Sequence, residues 1–263
     1  MYTHNLDPIL IDLGVIAIRW YSISYVLGIL AGWWLGKKII YHKINSNVKN
    51  VNDEDFDNYI TYLIFSIIIG GRLGYVLFYN FTYYISNPLE IIMIWKGGMS
   101  FHGGLIGVVI GTYLFSTKKK IKIFNLFDVV ACVAPIGIFF GRISNFINGE
   151  LYGKPTDVFW SVVFPKIDNL SRHPSQIYEA LLEGLVLFLI LNYIIFKKNY
   201  KEAQCSYMFL IFYSVFRIFS EQFRVSDYSA VNILGNFSTG SILSFVMLIA
   251  GLIIFYKKSF NQR

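Results

Sequence analysis

Long apolar runs, separated by short polar segments that carry lysines, dominate the hydrophobic pattern of this chain. Seven of them approach the roughly 20 apolar residues that a helix needs to cross a bilayer. They are 21–40, 60–79, 103–117, 124–140, 177–196, 204–223 and 239–256, the third beginning around Met99. The runs are continuous, whereas an outer-membrane barrel alternates apolar and polar residues in segments of about ten. The pattern therefore predicts an all-α, polytopic membrane protein with about seven transmembrane helices.

Between the runs, two segments stand out. Segment 83–95, with Tyr83, Tyr84, Pro88 and Trp95, reads as an interfacial arm on the outer surface. Stretch 141–176, punctuated by Pro155, Pro165 and Pro174, is the long outer loop and reads as a small extracytoplasmic cap. It belongs to a single integral membrane domain, 1–263. Glycines recur every four residues at Gly28, Gly32 and Gly36, and again at Gly103, Gly107 and Gly111, forming ridges that let helix backbones approach. The chain has no visible internal repeat of the kind transporters often carry.

Composition sharpens this picture. Of 263 residues, 55% are hydrophobic and 15% charged, and the mean hydropathy is +0.52. That leaves too little charge to cover a soluble domain. A net charge of +7 invites a nucleic-acid reading, but the basic residues cluster between apolar runs, which is a topological signal. Lys37, Lys38, Lys43 and Lys49 follow the first run; Lys118, Lys119, Lys120 and Lys122 follow the third. Lys197, Lys198 and Lys201 follow the fifth, and Lys257, Lys258 and Arg263 the seventh. These loops face the cytoplasm by the positive-inside rule, so the N-terminus is outside and the C-terminus inside. The first residues, with Asp7, Pro8 and Asp12 and no basic stretch, do not resemble a cleaved signal peptide. Cys132 and Cys205 lie far apart in apolar stretches without CxxC spacing. They read as small buried hydrophobes, not as a disulfide framework or zinc site.

Charges inside spans are costly and mark function. Arg72 and Arg217 lie seven and six residues from the outer ends of their runs, which is roughly 10 Å deep at ~1.5 Å per residue. His102 stands at the outer mouth of the third run, Tyr25 near the outer end of the first, and Arg142, Asn145, Asn148 and Glu150 at the outer end of the fourth. The inner half is nearly empty of polar groups. An ion pathway needs stepping stones through both leaflets, so the pattern favours an enzyme acting on an outer-leaflet lipid over a transporter. Bland readings accompany each residue. Arg217, Glu221 and Arg224 share a helical face and can simply neutralise one another. Arg142 with Asn145 can be a snorkelling arginine beside a capping residue. A His at a helix mouth is often structural. Glu179 and Glu183, four apart, can accept hydrogen bonds from one of the arginines, or Glu179 can serve a helix entry.

Several motifs resemble one family. The run 141–153, Gly-Arg-Ile-Ser-Asn-Phe-Ile-Asn-Gly-Glu-Leu-Tyr-Gly, resembles the signature of prolipoprotein diacylglyceryl transferases. In the same order come Trp20-Tyr21 with Tyr25, Gly70-Gly71-Arg72-Leu73-Gly74-Tyr75, and Ser100-Phe101-His102-Gly103-Gly104. After the signature follow 173–179, His-Pro-Ser-Gln-Ile-Tyr-Glu, and Arg217 with Glu221 and Arg224. The likeness spans Trp20 to Asp227. Ser22 replaces a usual Gly, and Ser226 a common Pro, which touches loop geometry rather than chemistry.

The resemblance implies transfer of the diacylglyceryl group of phosphatidylglycerol to the thiol of a prolipoprotein lipobox cysteine, forming a thioether and releasing glycerol phosphate. It implies no metal or organic cofactor, and the placement of the lysines already argues against a nucleic-acid partner. The residues matching Tyr25, His102, Arg142, Asn145, Glu150, Gly153, Arg217, Glu221 and Arg224 are those the family treats as important, and Arg72 joins them as a substrate-binding candidate. Negative charge grows on the leaving phosphate, and arginines in a low dielectric suit it. The thiol, with a pKa near ~8.5, needs a base or a positive field. His102 is the candidate base. Alternatives are another outer-leaflet phospholipid-dependent transferase, a transporter, or a structural scaffold.

Overall fold

The computed structural model describes residues 2–14, 17–44, 51–225 and 238–260. In chain order its elements are β1 (Tyr2–Thr3), β2 (Ile9–Asp12), β3 (Ala17–Arg19), α1 (Trp20–Ile39), α2 (Asp53–Phe78), α3 (Phe81–Ser86), α4 (Phe101–Lys119) and α5 (Ile123–Asn148). Then follow β4 (Val162–Val163), β5 (Ser171–Arg172), α6 (Ser175–Glu179), α7 (Leu187–Ile195), α8 (Gln204–Glu221) and α9 (Thr239–Phe260). A π-helical stretch, Ala180–Val186, joins α6 to α7 without a break. Among the described residues, five helical segments are long and apolar enough to cross a membrane: Trp20–His42, Asp53–Phe78, Ile123–Asn148, Ser175–Ile195 and Gly240–Lys258. The third and sixth expected spans correspond to α4, of 19 residues, and α8, of 18. Ser226 and Asp227, Lys49 and Arg263 lie outside the described residues.

The fourth run exceeds its expected end. Gly141 does not interrupt the helix, so α5 continues past Phe140 to Asn148, and the chain turns at Gly149.

The chain divides into two compact units. One, Ile40–Phe127, is built on α2 and α4. Asn52 caps α2 by accepting from the Asp55 N–H (2.6 Å), and Asp53, Glu54 and Asp55 complement the positive end of the helix. Ser100 caps α4 through the Gly103 N–H (3.1 Å). Gly70 and Gly74 meet Gly103 and Gly107 backbone to backbone; a Cβ at Gly74 would lie 2.7 Å from the Gly103 Cα. This is the close approach that small residues at helical spacing permit. Buried between the same helices, the Tyr59 hydroxyl pairs with Thr112 (2.9 Å).

The other unit, Met1–Ile39 with Asp128–Arg263, holds α1, most of α5, the loop strands and α6–α9. Along α1, Gly28 and Gly32 pack on Gly137 and Val133 of α5, and Ser24 Oγ meets Ser144 Oγ at 2.5 Å. The Asp128 carboxylate, fully buried, caps α8 from α5. It accepts from the Ser206 N–H (2.7 Å) and hydroxyl (2.6 Å), the Ala203 N–H (2.7 Å) and the Tyr200 hydroxyl. It is a buried carboxylate in the lysine-side half, where the sequence pattern predicts few polar groups. Its acceptors serve the start of α8, so it is a clamp between helices. Nearby, Cys132 and Cys205, distant in sequence, both direct Sγ at the Leu191 carbonyl (3.8 and 3.7 Å) as free thiols.

Candidate active site

The signature run earns its conformation from a helix end. Gly149 takes φ +71°, a left-handed value that its missing Cβ makes inexpensive. Its N–H donates to the Phe146 carbonyl (3.0 Å), and the Glu150 N–H donates to the Asn145 carbonyl (2.9 Å). These two bonds are the nested closure of a Schellman end, which satisfies the last carbonyls of α5. Asn145 and Glu150 are the residues joined by its outer bond. Their side chains meet as well, with Asn145 Nδ2 donating to Glu150 Oε2 (3.3 Å) and Asn148 Nδ2 to Oε1 (3.3 Å). The following loop is pinned to α6: Gln176 Nε2 donates to the Glu150 carbonyl (2.5 Å) and Ser175 Oγ to that of Leu151 (2.9 Å).

Gly153 lies where two backbones leave no room for a side chain. A Cβ there would fall 2.7 Å from the His173 Cβ and 2.8 Å from the Phe223 carbonyl oxygen. Its N–H donates to the His173 carbonyl (3.0 Å), the Lys154 N–H to that of Phe223 (2.8 Å), and Gly153 bridges Arg224. Arg224 therefore stands beyond the end of α8, in extended backbone. The shared helical face expected for Arg217, Glu221 and Arg224 stops at Glu221.

The charges converge on Glu179, which is fully buried at the end of α6. Arg217 Nη1 donates to Glu179 Oε1 (2.7 Å), Arg142 Nε lies 2.8 Å from Oε2, and Arg224 Nη1 lies 3.7 Å from Oε1. Glu183, also fully buried, is within 3.6 Å of Arg142 and 3.7 Å of Arg217. Arg217 Nη2 pairs with Glu221 at 2.6 Å. Three guanidiniums thus face three carboxylates. An isolated ion costs several kcal/mol to bury, and only such mutual compensation keeps the group charged within a helix bundle. Two close packings assemble it. Gly184 of the π-helical stretch lies against Phe139 of α5, where a Cβ would be 2.8 Å from the Phe139 Cα; Arg142 is one turn further along. Gly240 of α9 fits over the opposite side, its would-be Cβ 3.3 Å from Arg217 Nη2 and 3.5 Å from the Glu221 carboxylate.

The remaining candidates have their own surroundings. Tyr25 on α1 is 60% exposed and its hydroxyl donates to Tyr21 (3.3 Å). Arg72, in the α2–α4 unit, is buried and holds backbone: Nε donates to the Ile91 carbonyl (2.8 Å), Nη2 to that of Glu90 (2.6 Å), and Nη1 to those of Gly97 and Gly98. It staples the segment read as an interfacial arm, on which Leu89, Ile92 and Trp95 are exposed. His102 occupies the first turn of α4, and its side chain lies outside the described residues.

Glu179 is the centre of this cluster, and Glu183 and Gly240 join it although no motif contains them. Spacing offered Glu179 one arginine, and the structure brings it Arg142 and Arg217 together. The available signal was two carboxylates four apart inside an apolar run.

The arrangement is a buried arginine–carboxylate cluster fed by a helix end that the signature run builds. The sequence profile of prolipoprotein diacylglyceryl transferase matches residues 8–257. The chain belongs to the prolipoprotein diacylglyceryl transferase family. It is similar to the phosphatidylglycerol–prolipoprotein diacylglyceryl transferase of Rickettsia bellii (strain OSU 85-389), at 49% identity over 255 residues, covering 96% of this chain and 95% of the relative. The protein of the same name from Rickettsia felis is 51% identical over 249 residues, covering 94% and 95%. That of Rickettsia typhi is 49% identical over 253 residues, covering 95% and 96%.

Proposed function

We propose that this membrane enzyme transfers the diacylglyceryl group of phosphatidylglycerol to the lipobox cysteine of a prolipoprotein, an early step of lipoprotein maturation. The thiol sulfur attacks the glycerol carbon that carries the phosphate. The carbon–oxygen bond breaks, a thioether forms, and glycerol phosphate leaves with the bonding electrons. One observation carries the reading: Arg142 and Arg217, from different helices, converge on one buried carboxylate at 2.8 and 2.7 Å. Charge grows on the departing phosphate, and guanidiniums already oriented in a low-dielectric site stabilise it without reorganising. Arg142, with 18% of its side chain exposed against 10% for Arg217, is the one offered to the head group. Glu179 and Glu221 keep Arg217 in place. Asn145, Glu150 and Gly153 shape the entrance, Tyr25 and Arg224 flank it, and Arg72 acts by holding the arm. The thiol proton passes to His102 in this reading, and no cofactor is required.

The reading takes the chain as one integral membrane domain that crosses the inner membrane seven times. Its N-terminus is outside, its lysine-rich loops are cytoplasmic, and residues 141–176 and the arm lie on the outer side. Incubation of membranes with labelled phosphatidylglycerol and a lipobox peptide tests the proposal. Label on the peptide cysteine is the expected result; label released as free lipid, or none, refutes it.

A further inference from the structure

His4 is a buried imidazole that the reaction above does not use. Strand β1 runs parallel to β4, with Tyr2 opposite Val162 and Thr3 opposite Val163. The His4 N–H then donates to the Val163 carbonyl (2.8 Å). This delivers the side chain into the interior, where only 6% of His4 is exposed. Its ring meets Phe146 edge-on (centroids 5.4 Å, 85°) and lies tilted on Phe164 (5.2 Å, 34°), while those two phenylalanines meet at 6.0 Å. His4 Nε2 is 2.8 Å from the Phe146 carbonyl oxygen. A carbonyl only accepts, so Nε2 carries the proton, and the tautomer is set by its partner.

That carbonyl is the inner acceptor of the Schellman end, already bound by the Gly149 N–H (3.0 Å). We infer that His4 is a positioning residue for transfer: its Nε2–H supplies a second donor to Phe146 and holds the turn that aims Asn145 and Glu150. The geometry is specific. Phe146 is the residue after Asn145, a Cβ added at Gly149 would be in ordinary van der Waals contact with the ring, 3.8 Å from His4 Cε1, and a donor at a helix C-terminus is favoured by the carbonyl dipoles there. This inference rests on the transfer reaction only for its kinetic consequence; the bond itself is a separate claim.

Two variants separate donor from shape. His4→Phe keeps a flat ring between Phe146 and Phe164 and removes the donor; His4→Gln keeps an amide N–H within reach. With purified full-length enzyme, labelled phosphatidylglycerol and a lipobox peptide, His4→Phe is expected to lower kcat about 10-fold, on the scale of one hydrogen bond to a positioned group, with KM for the lipid little changed. His4→Gln is expected to recover most of that loss. Combined with Glu150→Gln, His4→Phe should add much less than its own effect, because both act through one turn. Equal kcat in His4→Phe and the parent, equal damage in both variants, or full additivity with Glu150→Gln overturns the assignment. If the parent enzyme transfers no label, the functional reading fails while the bond remains testable: ¹⁵N spectra of histidine-labelled protein should show one imidazole in the Nε2–H form that is absent from His4→Phe. An Nδ1–H form at that position refutes the bond directly.

Discussion

Replacing Glu179 with glutamine tests the central electrostatic claim with almost no change of shape. The carboxylate is fully buried, hydrogen-bonded by Arg217 at 2.7 Å and 2.8 Å from Arg142. Glutamine keeps the volume and one carbonyl acceptor, yet removes the charge and points an N–H₂ donor toward one guanidinium. Among the described residues, Arg142 then retains Glu183 at 3.6 Å, while Arg217 retains Glu221 at 2.6 Å and Glu183 at 3.7 Å. Breaking one side of a buried ion cluster costs about 3–5 kcal/mol. Arg142 is the less compensated partner and should swing away, and a displacement near 1 Å from the productive position costs on the order of 10²-fold in rate. Thermal unfolding in detergent and peptide-labelling kinetics on the same preparation measure both effects. Adding Arg142→Gln to Glu179→Gln should restore part of the lost thermal stability, since it removes the orphaned charge, without restoring transfer. An unfolding transition unmoved by Glu179→Gln, together with kcat/KM close to the parent, would show that Glu179 does not anchor the arginines.

Arg142→Ala and Arg217→Ala should each abolish transfer with the protein still inserted, and lysine at either position should rescue poorly because a point charge lacks the planar fork; near-normal turnover of an alanine variant removes the phosphate role from that residue. Cys132→Ser and Cys205→Ser should keep most activity, since both thiols face the Leu191 carbonyl and the nucleophile belongs to the substrate; lost turnover on replacing either would point to a covalent enzyme intermediate. His102→Gln should slow the single-turnover step about 10²–10⁴-fold while leaving lipid affinity intact; weakened phosphatidylglycerol binding with an unchanged chemical step would make His102 a binding residue. Burial holds the His173 imidazole below its ordinary range, and its Nδ1 lies 3.1 Å from the Tyr178 hydroxyl, which accepts from Trp160 Nε1 at 2.6 Å. A depressed histidine stabilises the fold above the ordinary imidazole pKa, and that stability is lost as pH falls through the depressed value. Tryptophan emission should therefore shift on acidification in the parent and not in His173→Phe, and an identical titration in both would exclude His173 as its source.

Much of this molecule is written along the chain, because a bilayer imposes length and polarity on each span independently of its neighbours. Continuous apolar runs predicted helices, and α1, α2, α5, Ser175–Ile195 and α9 follow them. Glycines at four-residue spacing predicted close packing, and Gly28 on Gly137 and Gly70 on Gly103 are such contacts. The order Asn145 to Glu150 even encodes its own helix end, since a glycine placed four residues after asparagine is a local instruction. Contacts between distant segments were not legible in this way. Nothing in the spacing tells which arginines reach Glu179, because Arg142 and Arg217 are brought there by Gly184 against Phe139 and by the packing of α6 and α8. Arg72 reads in sequence as a buried charge awaiting a ligand, while tertiary structure gives it four backbone carbonyls, those of Glu90 and Ile91 in the arm and of Gly97 and Gly98 just after it. His4, remote from every motif, reaches the signature only because β1 pairs with β4. A membrane dictates where a charge is expensive, and only the fold decides which partner compensates it.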